Sequence, residues 1–122
     1  VRRMLKDPKS RALSENFAGQ WLQLRALRTM TPDRGYFPGW TNKIRDDLIR
    51  EAELFFENVV REDRSVLEFI DSDWGYANKR VLAHYGLTEK LRPAMEAAGL
   101  FAADDRHGLA KVRQKFSDAE QK

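Results

Sequence analysis

Apolar side chains recur along this chain at helical spacing, and no stretch shows the alternation of a strand. The first helix is predicted to start at Asp7-Pro8, where Asp caps and Pro is pre-set for the first helical position. Leu13, Phe17, Trp21 and Leu24 follow as one stripe, and Met4 and Leu5 suggest a preceding helix whose beginning was cut away. The segment 29–40 is broken by Pro32, Gly35, Pro38 and Gly39 and carries Tyr36, Phe37 and Trp40. Such a segment predicts a loop folded down onto the helices by its aromatic rings.

Thr41 or Asn42 is expected to cap a second helix running to about Arg61. Ile44, Leu48, Ala52, Phe55 and Val59 form its main stripe, and Ile49, Phe56 and Val60 widen it. That width predicts burial against two neighbours, the position of a central helix in a bundle. Ser65 opens a short third helix and Asp71–Gly75 reads as a turn. Asn78 caps a fourth helix carrying Val81, Leu82 and Tyr85, which Gly86 ends in the left-handed region. Thr88 to Ala98 reads as helical with Pro93 at its start or at a bend, and Gly99 closes it. Leu109, Val112 and Phe116 suggest one more helix. The fold class predicted is all-α, a small irregular bundle of about five to six helices with a packed Pro/Gly/aromatic loop. The 122 residues make one domain, expected to be a fragment of a larger protein.

Composition narrows the function classes. The chain is 42% hydrophobic and 34% charged, the balance of a globular domain. It has no cysteine, which excludes disulfides, thiolate zinc sites and covalent haem attachment within it. No window is apolar enough to span a bilayer. The net charge of +3 is unevenly spread: residues 1–28 hold seven Lys/Arg against two acids, whereas residues 46–73 hold ten acids against three Arg. Solvated helix faces account for that polarity, and docking on a charged neighbour is the sharper reading.

Four blocks then occur in order: Phe17-Ala18-Gly19-Gln20-Trp21-Leu22, Glu53-Leu54-Phe55-Phe56, Arg61 through Leu67, and Asn78 through Gly86. Together they resemble an uncharacterised domain of very large exported proteins of planctomycetes and related bacteria. Those proteins often carry a c-type-cytochrome-like haem domain. The resemblance covers about residues 3–87; residues 88–122 depart from it and are read as divergent C-terminal helices. It implies an exported multidomain parent linked to redox chemistry or polysaccharide breakdown, and it brings no catalytic residues with it. The Cys-x-x-Cys-His haem motif is absent here, so a redox role would belong to another part of the parent.

Candidate chemistry is sparse. His84 and His107 stand apart from each other and from other metal-ligand patterns, and His84 suits a helix C-terminus. Asp71-x-Asp73-x-Gly75 hints at a calcium loop, but the sixth and twelfth positions are Tyr76 and Leu82, where Gly and Glu are required. Glu53 and Glu57, with Asp46 beyond an interruption, read as the charged face of a helix. Arg64 is expected to tie its turn to Asp71 or Asp73. Gly19 is expected to permit a close helix contact beside Trp21. The basic residues near each end lie in two separate clusters without a docking motif, so nucleic acid is not an expected partner.

No catalytic, cofactor-binding or metal-binding residue is assigned, and whether the segment belongs to an enzyme is left open. The first reading is a non-catalytic helical scaffold or interaction module that packs against neighbouring domains of the parent. The alternative is a ligand- or carbohydrate-binding subsite of a larger redox or polysaccharide-degrading enzyme, and the second alternative is a nucleic-acid-binding module. Tyr36, Trp40, Arg64, Asp73, Asn78 and His84 are the candidate ligand or interdomain contacts. No cofactor is expected, the oligomeric state is open, and the domain is expected to be periplasmic or extracellular by resemblance.

Overall fold

The computed structural model describes residues 1–97 and 109–113. They form six helices in chain order: α1 (Arg2–Leu5), a helical run α2 over residues 8–21, α3 (Leu24–Leu27), α4 (Asn42–Arg61), α5 (Lys79–His84) and α6 (Thr88–Ala97). A 3₁₀ turn spans Val66–Phe69. The predicted caps are in place. Asp7 accepts from the Lys9 N–H, Thr41 from the Ile44 N–H at 3.2 Å, and Asn78 from the Val81 N–H at 2.9 Å. Each satisfies a backbone donor that a helix start leaves unpaired.

The fold is mostly helical but not strictly all-α. Strand β1 (Trp74–Ala77) pairs antiparallel with β2 (Ala110–Arg113), with Trp74 opposite Arg113 and Ala77 opposite Ala110. The helix expected around Leu109 and Val112 is therefore a strand over its described part. The three-residue spacing of those two apolar residues fits a helix, and four residues are too few for a strand alternation to outweigh it. Two four-residue strands separated by more than thirty positions give no hairpin signature in sequence. His107, Gly99 and Phe116 lie outside the described residues.

Helix α4 is the axis of the domain, as its breadth predicted. Ile49, Phe56 and Val59 are buried, and Ile44, Leu48, Ala52, Phe55 and Val60 are half-buried. One side of the domain is an aliphatic core of Ala77, Val81, Leu82, Leu91 and Val112, with Leu48 of α4 and Leu87 packed against it. The buried Asp47 carboxylate, one turn before Glu51, accepts from Arg80 at 2.7 and 3.1 Å, a bidentate pair that pins α5 to α4.

The other side is built from rings. The helical run α2 passes through a π turn at Ser14–Ala18. Its wider turn keeps Leu13, Phe17 and Trp21, four residues apart, in one line. Of the predicted stripe of Leu13, Phe17, Trp21 and Leu24, only Leu24 is buried, at 7%. The small Ser14 and Ala18 face inward, while Leu13, Phe17 and Trp21 are each about half exposed, at 52%, 51% and 54%. Small residues let α2 approach α4 closely, and the large rings flank the contact instead of filling it. Gly19 plays no such part. A Cβ there would meet only the Arg25 side chain, at 4.0 Å.

The two helix ends near α4 and α5 use the same device. At α5, Gly86 is left-handed (φ 69°), with the Leu87 N–H bonded to Leu82 O at 2.8 Å and the Gly86 N–H to Ala83 O at 3.1 Å. At α4 the left-handed residue is Asp63 (φ 52°), with Arg64 N–H to Val59 O at 3.0 Å and Asp63 N–H to Val60 O at 3.4 Å. Both are Schellman ends, but only α5 places glycine where its missing Cβ removes the strain. Pro93 sits inside α6 rather than at its start. No helix among the described residues is long and apolar enough to cross a membrane.

Candidate functional site

The six residues singled out in sequence fall into separate places. Tyr36, Trp40 and His84 come together. The loop before α4 carries Trp40 against the C-terminal residue of α5, with the indole and imidazole centroids 6.0 Å apart in an edge-on arrangement. Tyr36, Phe37 and Ile44 complete an open groove of about 480 Å³ there. The loop is less packed than its aromatic content predicted: Trp40 is half-buried, but Tyr36 is 81% and Phe37 54% exposed. The guanidinium of Arg80, also on the groove, is committed to Asp47.

Arg64 belongs to a different assembly. Instead of reaching Asp71 or Asp73, its Nε donates to Glu68 at 2.7 Å and its Nη1 to Glu62 at 3.4 Å. The reason is local: Glu68 stands one turn ahead in the 3₁₀ segment, nearer than the acids beyond it. Glu68 also accepts from the buried Trp74 indole N–H at 2.7 Å. The Arg64 guanidinium lies 5.0 Å from the Trp74 ring centroid and the Lys111 ammonium 4.3 Å from it. Hydrogen bonding from Arg64 holds the Glu68 carboxyl below the ordinary carboxylate range, and a hydrogen bond from Asn58 does the same for Glu62. Phe55 stacks on the Trp74 ring at 4.4 Å. This cation–aromatic knot locks β1 and β2 to the end of α4, an architectural role that sequence reasoning missed because Lys111 is remote in the chain.

Asn78 is buried as the cap of α5, and its Nδ2 has no hydrogen-bond partner among the described residues. Asp73 is among the residues that line a small cavity between α4, β1, α5 and α6. Glu51 of α4, which no sequence signal marked out, lines the same cavity and accepts from the Tyr85 hydroxyl at 3.1 Å. Burial among apolar walls raises the Glu51 carboxyl to about 7, against the opposing effect of the Tyr85 bond. Tyr85 is in turn pushed up to about 12, by burial first and by the neighbouring carboxyl second. Glu57 and Glu53 of the same helix are half-buried and paired within it, Glu57 with Arg61 at 2.9 Å and Glu53 with Arg50 at 3.5 Å. No group of side chains able to hold a metal ion occurs among the described residues.

The most extensive feature is apolar. Phe17, Trp21, Phe56 and Phe69 form a connected ring cluster, with Phe17–Phe56 at 5.6 Å, Trp21–Phe69 at 5.6 Å and Phe56–Phe69 at 5.5 Å. Phe56 is buried and Phe69 half-buried beneath the outer rings. Beside Phe69, the 3₁₀ turn presents Val66, Leu67 and Ile70 at 70%, 68% and 88% exposure. With Leu13, Phe17 and Trp21 they make an apolar strip along α2 and the turn. Exposed apolar residues scattered singly are ordinary, but here the Trp21–Phe69 contact brings the exposed face of α2 to the turn that carries the other three.

The chain matches the family model described as Protein of unknown function (DUF1592) over residues 1–87, which includes the ring cluster, the turn and all of α5. No curated protein and no solved structure matches it.

Proposed function

The chain belongs to the DUF1592 family of unknown function, and from that premise we propose that it is a non-catalytic helical module that docks against neighbouring domains of a larger exported protein. The observation that carries this reading is the exposed apolar surface of Phe17, Trp21, Val66, Leu67 and Ile70 beside the ring cluster. A surface of that kind costs solubility when uncovered and stabilises an interface when covered. The export and the company of a haem-bearing domain rest on the resemblance of the four sequence blocks. The strip supports the docking alone.

Sedimentation of the chain mixed with the segments that adjoin it in its parent tests the reading. Association is expected, and Trp21→Ser combined with Ile70→Asp is expected to weaken it at least tenfold, about 1.4 kcal/mol, with the helical circular dichroism retained. Failure to associate with any parental segment would count against the reading, as would an unchanged affinity in the double variant.

A second reading is favoured by one observation, the convergence of Tyr36, Trp40 and His84 on an open groove. Exposed aromatic faces with a polar ring at hand suit the apolar faces of a sugar, so the groove supports a carbohydrate-binding subsite. Quenching of tryptophan fluorescence by oligosaccharides, lost in Trp40→Ala, would favour it. A titration without change would remove it.

A further inference from the structure

The cavity that holds Glu51 is independent of both surfaces above. It measures about 180 Å³, room for roughly six waters' share of liquid, and so fits a head group rather than a whole extended ligand. Its lining is largely apolar, with Ala77, Leu82, Leu91 and Val112 among the wall residues, and it includes Glu51, whose carboxyl accepts from the Tyr85 hydroxyl. Among the described residues, no Lys, Arg or His lines it. The contrast with Asp47, one turn earlier on the same helix, is direct: that carboxylate is matched by Arg80, whereas the Glu51 contact is the neutral Tyr85 hydroxyl. From these features we infer that the cavity is a subsite for a small organic ammonium group, which would place its charge on Glu51 and its alkyl part on the apolar lining.

The surrounding elements favour the cationic occupant. Tyr76 of β1 and Tyr85 of α5 bring ring surface to the lining. Leu91 of α6 and Val112 of β2 face the cavity as apolar groups, while Lys111 turns away to the Trp74 ring and to Asn58. The Trp74 ring is already covered by Phe55 and faced by cations, so the attraction to a ligand must come from Glu51 and the tyrosines. An ammonium ion also removes the penalty of ionising a carboxyl in this setting, so its binding and the loss of the Glu51 proton are coupled.

That coupling supplies the test. The intact chain is titrated with n-butylammonium and, separately, with the neutral 1-butanol, by calorimetry at pH 5.5 and 8.5. Because Glu51 titrates near 7, the apparent affinity for the cation is expected to rise by up to roughly thirtyfold between the two, with proton release on binding near neutrality. The alcohol should bind weakly and without pH dependence. Glu51→Gln should abolish the pH dependence, and Tyr85→Phe, which keeps the carboxyl, should retain it. Equal binding of cation and alcohol, no cation binding at pH 8.5, or a pH dependence that persists in Glu51→Gln would each overturn the assignment. Neither docking through the ring strip nor sugar binding at Trp40 depends on the result.

Discussion

The two sides of α4 are built to different ends. On one, aliphatic residues from α5, α6 and both strands close around Leu48, and Leu82 and Val81 are 2% and 0% exposed. On the other, rings from α2 and the 3₁₀ turn stack outward from Phe56 until Trp21 is about half in solvent and Ile70 almost wholly so. Helix α4 is covered on both sides, but the elements that cover its ring side keep apolar surface of their own in solvent. The closed side explains why the chain folds; the open side carries the proposed docking.

That contrast can be broken by substitution, beginning with the largest effect. Leu82→Ala removes a fully buried side chain from the closed side and is expected to cost about 3 kcal/mol in denaturant unfolding, within the usual range for such cavities. A cost under about 1 kcal/mol would mean the aliphatic cluster is not the core. Glu51 comes next. Its folded-state carboxyl is raised above the ordinary value of 4.5 to about 7, so the folded protein holds the proton more tightly than the unfolded chain. Its contribution is fully present below about pH 4.5 and lost as pH rises towards 7. Glu51→Gln should therefore flatten the stability profile across that window. At pH 8 it should gain roughly 1–2 kcal/mol over the parent, less than full linkage because the carboxyl retains some solvent.

The paired helix ends give opposite signs from the same geometry. Gly86→Ala, on the closed side, forces a Cβ into the left-handed region and is expected to destabilise by about 1 kcal/mol. Asp63→Gly, at the end of α4 nearest the ring cluster, should stabilise by up to about 1 kcal/mol, since the residue there already bears that strain. Thermal melts of the two variants side by side check the signs. The smallest effect belongs to the open side: Ile70→Ser should leave stability within about 0.5 kcal/mol of the parent. A large loss there would show that the strip is part of the fold and not a surface in reserve.

Much of this architecture was legible in the residues. The caps at Asp7, Thr41 and Asn78, the glycine stop at Gly86 and the breadth of α4 are local signals, each written within a turn or two of the element it controls. What stayed hidden depends on distant residues. The pairing of β1 with β2, the Asp47–Arg80 bridge, the Lys111 ammonium over Trp74 and the apolar burial of Glu51 all join positions that sequence periodicity cannot connect. The stripe of Leu13, Phe17 and Trp21 shows a third case. Its periodicity correctly indicates a helix with one apolar face, but spacing alone cannot say whether that face meets its own domain or another. Among the candidate contacts, Tyr36, Trp40 and His84 could be named for their chemistry, yet their meeting depends on where the loop returns to α5.

The most direct test of the claim that the ring strip is a docking face is residue-resolved amide hydrogen exchange on the chain, alone and with the neighbouring domain that the proposed docking requires. The account predicts new protection confined to α2 and the 3₁₀ turn, around Phe17, Trp21 and residues 66–70, with the aliphatic side unchanged. Protection that appears instead around Tyr36, Trp40 and His84, or none at all on the strip, would contradict it.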